Sequence, residues 1–257
     1  FVDRAGVSKA YSVVDIELLE HCIREELNTT APRRIAVMKP VKLVIDNYPA
    51  DKTEYFELPN NPQSPEAGTR KLPFTRELYI DADDFAEVPP PKFFRLKPNG
   101  EVRLMGSYII RCNEVVKNED GTVRELRCTA DLETGNGNPT DGRKVKGTVH
   151  WVSAKYAIDT TVMLYDFLFT IENVADIPEG KSFDDYLNLR SVEKIEHVKA
   201  EPALAVLAVT AIYLALTVSF SIPAWLTGMH LVITIAMFMS AVRVRATIAA
   251  GLLITIV

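Results

Sequence analysis

The sequence predicts a mainly β protein: one amphipathic helix, then many short strands in an antiparallel barrel or sandwich. Three observations carry this. Apolar residues recur with period two in a series of short segments between residues 41 and 165. Asn, Asp, Gly and Pro cluster between those segments, as at Pro59-Asn60-Asn61-Pro62, Pro98-Asn99-Gly100, Asp120-Gly121, Asn136-Gly137-Asn138-Pro139 and Asp141-Gly142. The segments follow one another at spacings of about 8–15 residues, too close for βαβ units.

The elements follow in order. Residues 12–27 read as a helix, with Ile16, Leu19, Ile23 and Leu27 in one stripe and Ser12 and Asp15 resembling a capping box. The stretch 28–32 ends it, because the residue before Pro32 avoids the helical region. Strands are expected at 41–45, 55–58, 77–80, 102–104, 108–116, 123–132, 145–152 and 160–165, and a helical turn at 183–187. Pro89-Pro90-Pro91 is a stiff joint and a candidate boundary between two β units.

The chain has 257 residues, net charge −5, 47% hydrophobic and 25% charged residues. That suffices for one large or two ordinary domains. Fifteen Pro against 12 Gly, without a low-complexity run, excludes collagen-like and disordered classes. Three cysteines, Cys22, Cys112 and Cys128, exclude a disulfide scaffold and point to a reducing compartment. The first residue is Phe and no signal peptide opens the chain, which reads as an internal piece of a longer protein.

The charge is unevenly placed. After residue 200 only Glu201, Arg243 and Arg245 are charged, so the first 200 residues hold 27 of the 29 basic and 33 of the 34 acidic groups. Apolar runs cover 203–220 and 229–242 on either side of Pro223, and a third follows Arg245. The first approaches the length of a membrane span and the second is short for one.

Catalytic chemistry is hard to assemble from these residues. His21, His150 and His197 lack metal-pair spacing, and there is neither a Cys-x-x-Cys nor a glycine-rich phosphate loop. Cys112 and Cys128 read as core fillers. Asp81, Asp83, Asp84 and Glu87 lack the pattern of a calcium loop and read as a solvated turn. The basic residues say more. Arg33, Arg34, Lys39 and Lys42 form one island. Lys92, Arg95, Lys97 and Arg103 form a second, interleaved with Phe93 and Phe94, and Arg143, Lys144 and Lys146 form a third. Guanidinium groups bind phosphates and base edges, and aromatic rings stack on unpaired bases. The plain alternative is that each island is an ordinary solvated strand face.

Several of these segments resemble one family in the same order. Asp141-Gly142-Arg143-Lys144-Val145-Lys146-Gly147-Thr148-Val149-His150-Trp151-Val152-Ser153 is similar to a hallmark of the C-terminal region of glutaminyl-tRNA synthetases. Leu19 to Asn28 followed by Ala31-Pro32-Arg33 resembles the helical segment after that family's catalytic domain. The runs 40–48, 58–62 and 101–104, and Glu201-Pro202-Ala203-Leu204, also match in order, so the resemblance covers about 1–204. The archaeal and eukaryotic type of glutamyl-tRNA synthetase shares the architecture and resembles the motifs less well.

The resemblance implies a helical connector (1–35) leading into two antiparallel β-barrels. The proximal barrel takes 36–90 and, on the return, 171–204; the distal barrel takes 91–170; and an apolar, helical tail unlike the family covers 205–257. It implies a parent enzyme, a cytoplasmic monomer, that couples ATP to glutamine and transfers it to tRNA. ATP and Mg²⁺ belong to an N-terminal catalytic domain whose His-Ile-Gly-His and Lys-Met-Ser-Lys-Ser signatures are absent here. No cofactor is expected in this chain, and no catalysis from it alone. What remains is a reader of the glutamine tRNA anticodon loop. By resemblance Asn28 and Arg33 sit at the anticodon, Arg95 reads its third base, Arg103 reads its first, and Gln63 makes a polar tRNA contact. Phe94 stands where the family commonly has a basic residue.

The tail departs from the family. A Gln-Phe-x-Arg-x-Gly-Tyr-Phe motif is expected after residue 204 and does not appear. A chimera or frame-slip is the favoured reading, since the break falls inside a family motif. A genuine membrane anchor and a buried barrel segment are the alternatives. With an anchor, the chain would be a membrane-attached β-barrel interaction protein with no RNA role.

Overall fold

The computed structural model describes residues 1–7, 14–139, 141–172 and 176–205. The apolar tail, the capping residue Ser12 and the expected membrane-span candidates lie outside these residues. Among the described residues no helix is long and apolar enough to cross a membrane.

A short helix α1 (Val2–Ala5) precedes helix α2 (Ile16–Thr30). Asp15 caps α2 by accepting a hydrogen bond from the Glu17 N–H at 3.0 Å. The helix runs past the expected stop at Asn28. The Thr29 and Thr30 hydroxyls donate to the Glu26 carbonyl at 2.9 and 2.8 Å, and Ala31 N–H donates to Leu27 O at 2.9 Å. Ala31 is extended, as the residue before a proline must be. Ile16 and Ile23 of the apolar stripe are exposed, while Leu18, Leu19, Cys22 and Leu27 are half-buried.

The rest is mainly β, in curled sheets that form a half-barrel. The strands are β1 (Ala36–Val37), β2 (Pro40–Ile45), β3 (Glu54–Pro59), β4 (Thr69–Phe74), β5 (Glu77–Asp81) and β6 (Glu101–Leu104). They continue with β7 (Ile109–Lys117), β8 (Val123–Asp131), β9 (Thr148–Val149), β10 (Val152–Ser153), β11 (Ile158–Tyr165) and β12 (Val192–Ala200). Seven of them form one sheet in the order β10-β5-β2-β8-β7-β6-β9. A second sheet runs β1-β12-β11, and β3 pairs with β4. Neighbours are antiparallel except β2 with β8 and β6 with β9, which are parallel. Parallel neighbours need a long connection, and residues 46–122 supply one between β2 and β8.

β2 and β5, from before Pro89-Pro90-Pro91, share a sheet with β6 to β10, from after it. The proline run therefore does not separate two sheets. The pairing changes after β10, where β11 and β12 join β1. The expected strand at 145–152 is two short pieces around His150-Trp151. The helical turn appears as a 3₁₀ turn, Phe183–Tyr186.

The core lies inside the seven-stranded sheet. Leu43, Ile45, Leu78, Ile80, Leu104, Ile110, Leu126 and the thiols Cys112 and Cys128 are fully buried there. Cys112 and Cys128 face each other across β7 and β8 as free thiols in the core, as expected. Five aromatic rings, Tyr48, Phe56, Phe74, Tyr108 and Trp151, meet edge to face or tilted at 5.0 to 6.5 Å. The Trp151 indole N–H donates to Met105 O at 2.9 Å, so its one polar atom is satisfied. Trp151 is fully buried between β9 and β10, while His150 beside it is exposed.

Candidate nucleic-acid interface

Five of the eleven cations in the basic islands, Arg34, Lys39, Lys42, Arg95 and Arg143, are paired with carboxylates. Lys39 pairs with Asp83 at 3.1 Å and Lys42 with Glu77 at 2.9 Å. Arg34 turns to the buried Glu201. Arg143 binds Glu101, Asp131 and Asp141 at 3.0, 2.6 and 2.5 Å, and its pKa rises above the usual arginine value, through hydrogen bonds to Asp131 and Asp141 first. Arg34 and Arg143 thereby tie separate segments of the chain together. Among the described residues no carboxylate lies within ion-pair distance of Arg33, Arg103, Lys92, Lys97, Lys144 or Lys146.

Three of the five sequence-derived site residues meet at the end of α2. The Arg33 Nη2 donates to Asn28 Oδ1 at 3.3 Å, and the Arg33 N–H donates to Asn60 O at 2.6 Å. Asn61, buried, donates through Nδ2 to the carbonyls of Asn28 and Ala31, both at 3.0 Å, and accepts from the Gln63 N–H at 2.9 Å. One carboxamide thus ties the last turn of the helix to the loop that presents Gln63. Arg33 is half-buried and Gln63 is exposed. Asn61 was not singled out from the sequence; the signal is its place inside Leu58-Pro59-Asn60-Asn61-Pro62, a turn and one of the runs that match the family in order.

Arg95 and Arg103 form a second group around Gly147. The Arg103 N–H donates to Gly147 O at 2.9 Å. A Cβ on Gly147 would collide with the carbonyl oxygen of Phe94, so only glycine lets the 94–95 segment lie against β9. Arg103 sits on β6 with Val102 and Leu104 turned into the core, and its Nη1 reaches Ser107 O at 3.4 Å. Arg95 pairs with the buried carboxylate of Asp84, while 52% of its side chain stays exposed. The expected solvated turn at Asp81 to Glu87 therefore contains one buried acid. Of the two phenylalanines, Phe94 is exposed, with Lys146 Nζ 5.4 Å from its ring centre, and Phe93 is half-buried.

His150 lies electrostatically between the groups. Desolvation by surrounding protein, and then the positive charges of Arg95 and Arg70, hold its imidazole below the usual histidine range. Arg70 belongs to the network under Arg33, so one ring senses both halves of the surface. No set of three His, Cys, Asp or Glu residues among the described residues could hold a metal ion.

This arrangement can present guanidinium groups and an exposed aromatic ring to unstacked bases. The anticodon-binding domain of class I tRNA synthetases (E and Q) matches residues 31–131, and a second anticodon-binding model of the same class matches 148–213. The second match passes Leu204, where the resemblance was expected to end. The chain belongs to this family of class I synthetase anticodon-binding domains. It is 52% identical over 205 residues to the glutamine–tRNA ligase of Bradyrhizobium diazoefficiens, 51% over 205 residues to that of Nitrobacter hamburgensis, and 50% over 204 residues to that of Pseudomonas aeruginosa. These alignments take in 79–80% of this chain and 36% of each relative. The chain spans about a third of the length of the curated relatives it matches.

Proposed function

We propose that this chain reads the anticodon loop of glutamine tRNA, as the anticodon-binding part of a cytoplasmic, monomeric glutamine–tRNA ligase. One observation carries the reading. Arg33 and Arg103, named from the sequence, have no carboxylate partner among the described residues, and Arg95 is held on one edge with half its side chain in solvent, while Arg34, Lys39, Lys42 and Arg143 of the same islands are paired. The relatives of about 50% identity are named glutamine–tRNA ligase, which favours glutamine over the related glutamyl enzyme. They also favour an RNA role over a membrane-attached interaction protein.

Asn28, Arg33 and Gln63 take one part of the loop and Arg95 and Arg103 another. Splayed bases are read on their edges by these side chains. Amino-acid activation falls to a catalytic domain preceding this chain.

The test is salt-dependent binding of the full chain to a glutamine-tRNA anticodon stem-loop. Arg33→Ala, Arg95→Ala and Arg103→Ala are each expected to weaken binding about 5- to 150-fold, the equivalent of about 1–3 kcal/mol per base-reading arginine. Each is also expected to flatten the salt dependence if a phosphate contact is lost. Variants that bind as tightly as the native chain overturn the reading.

A further inference from the structure

Glu201 is fully buried, just after β12, and is held by two arginines from other elements. Arg70, on β4, reaches it in a two-point contact, Nε to Oε1 at 2.7 Å and Nη2 to Oε2 at 3.1 Å. Arg34 Nε lies 3.5 Å from Oε1 and makes no hydrogen bond. Only 10% and 11% of the two arginine side chains are exposed. A buried ion triad is a poor source of stability, because desolvation consumes much of its attraction. Its geometry says what else it does.

Both arginines also donate to the Arg33 platform. Arg34 Nη1 donates to Arg33 O at 2.8 Å and to Asn60 Oδ1 at 3.0 Å. Arg70 Nη1 donates to Pro59 O at 2.6 Å. The Glu201 N–H itself donates to Ile35 O at 2.9 Å. One carboxylate is therefore the node for residues 33–35, the 59–60 turn, β4 and the end of β12. The next residue of that turn is Asn61, which clamps the end of α2 and sets Gln63.

We propose that Glu201 is a positioning residue for the anticodon face: through Arg34 and Arg70 it fixes the backbone from which Arg33 and Gln63 reach RNA. The proposal rests on the anticodon-reading role given above. Glu201 touches no base. Two guanidiniums against one carboxylate leave a surplus positive charge under the platform, which also favours a polyanion above it. Replacing the carboxylate by an amide leaves the two like charges to repel, and the Arg33 backbone loses its fixed support.

A double-mutant cycle on the full chain, read by binding of the glutamine-tRNA anticodon stem-loop, separates this role from general stability. Glu201→Gln is expected to weaken binding about tenfold in the native background and by less than twofold in the Arg33→Ala background. Should Glu201→Gln unfold, Arg34→Lys takes its place: it keeps the charge beside Glu201 but cannot reach both Arg33 O and Asn60 Oδ1, and the same non-additive pattern is expected. Equal losses in both backgrounds, or no loss in the native one, overturn the positioning role and leave the anticodon role standing. Native-like binding by Arg33→Ala overturns the anticodon role and this one with it.

Discussion

The buried carboxylate of Asp84 holds one edge of the half-exposed guanidinium of Arg95. The pair fixes the direction of Arg95 without covering it. Removing Arg95 strands a buried charge, so Arg95→Ala is expected to lose RNA binding and also stability, by about 1 kcal/mol once solvent exposure of the arginine is discounted. Adding Asp84→Asn to Arg95→Ala removes the stranded charge. The double variant is expected to regain melting temperature but not RNA binding; recovery of both would show that Arg95 acts only as a structural partner.

Gly147 sets the distance between the Arg95 segment and β6. Gly147→Ala forces the Phe94 carbonyl away and is expected to cost roughly 1–3 kcal/mol. Urea unfolding measures that cost, and stem-loop titration is expected to show weaker binding through Arg95. An unchanged unfolding midpoint contradicts the close approach.

His150 gives a pH signature. Its folded-state pKa is lowered, so the unfolded chain takes up a proton more readily than the folded one. Stability attached to this group is present above the ordinary histidine value, about 6.5, and is lost as pH falls through it. The melting temperature of His150→Gln is expected to fall less than that of the native chain between about pH 7.5 and pH 5.5. Parallel curves would remove His150 from the electrostatic coupling of Arg70 and Arg95.

The chain end carries a further expectation. A chain cut after Ala200 loses Glu201 and leaves Arg34 and Arg70 buried together, whereas one cut after Ala205 keeps the triad. The shorter is expected to be less stable by about 3 kcal/mol, the order of a broken buried ion pair. Denaturant midpoints of the two, both without the apolar tail, measure it; equal midpoints contradict a structural role for Glu201.

Much of this fold was legible because its strands alternate. β2, β5, β6, β7 and β8 lie within a residue or two of the expected segments, and their apolar faces form the core. β4 was missed because Thr69-Arg70-Lys71-Leu72-Pro73-Phe74 holds two charges and a proline. β4 tolerates Pro73 because it pairs on one side only. β12 was missed because its period is broken. Between Val198 and Ile195 the register against β11 shifts, with His197 at φ 60°, so a bulge flips the faces midway.

The site was legible only in part, and for a different reason. A sequence shows which residues are cationic but not which are already paired. Lys39 and Arg34 sit in the same island as Arg33, yet their acids, Asp83 and Glu201, lie 44 and 167 residues away. Asn61 and Glu201 stand within recognised motifs, but burial gives them their roles, and burial follows from the fold. The grouping of Arg95 with Arg103 was likewise invisible, since Gly147 brings their segments together only in three dimensions.

The central claim is that the guanidiniums of Arg33, Arg95 and Arg103 read anticodon bases. Its most direct test is base discrimination: the affinity of the chain for the glutamine anticodon stem-loop relative to loops with one anticodon base replaced. The native chain is expected to prefer the glutamine loop by tenfold or more per base, and the Arg33→Ala/Arg95→Ala/Arg103→Ala chain to bind all loops alike and weakly. Undiminished discrimination by the triple variant would contradict the account.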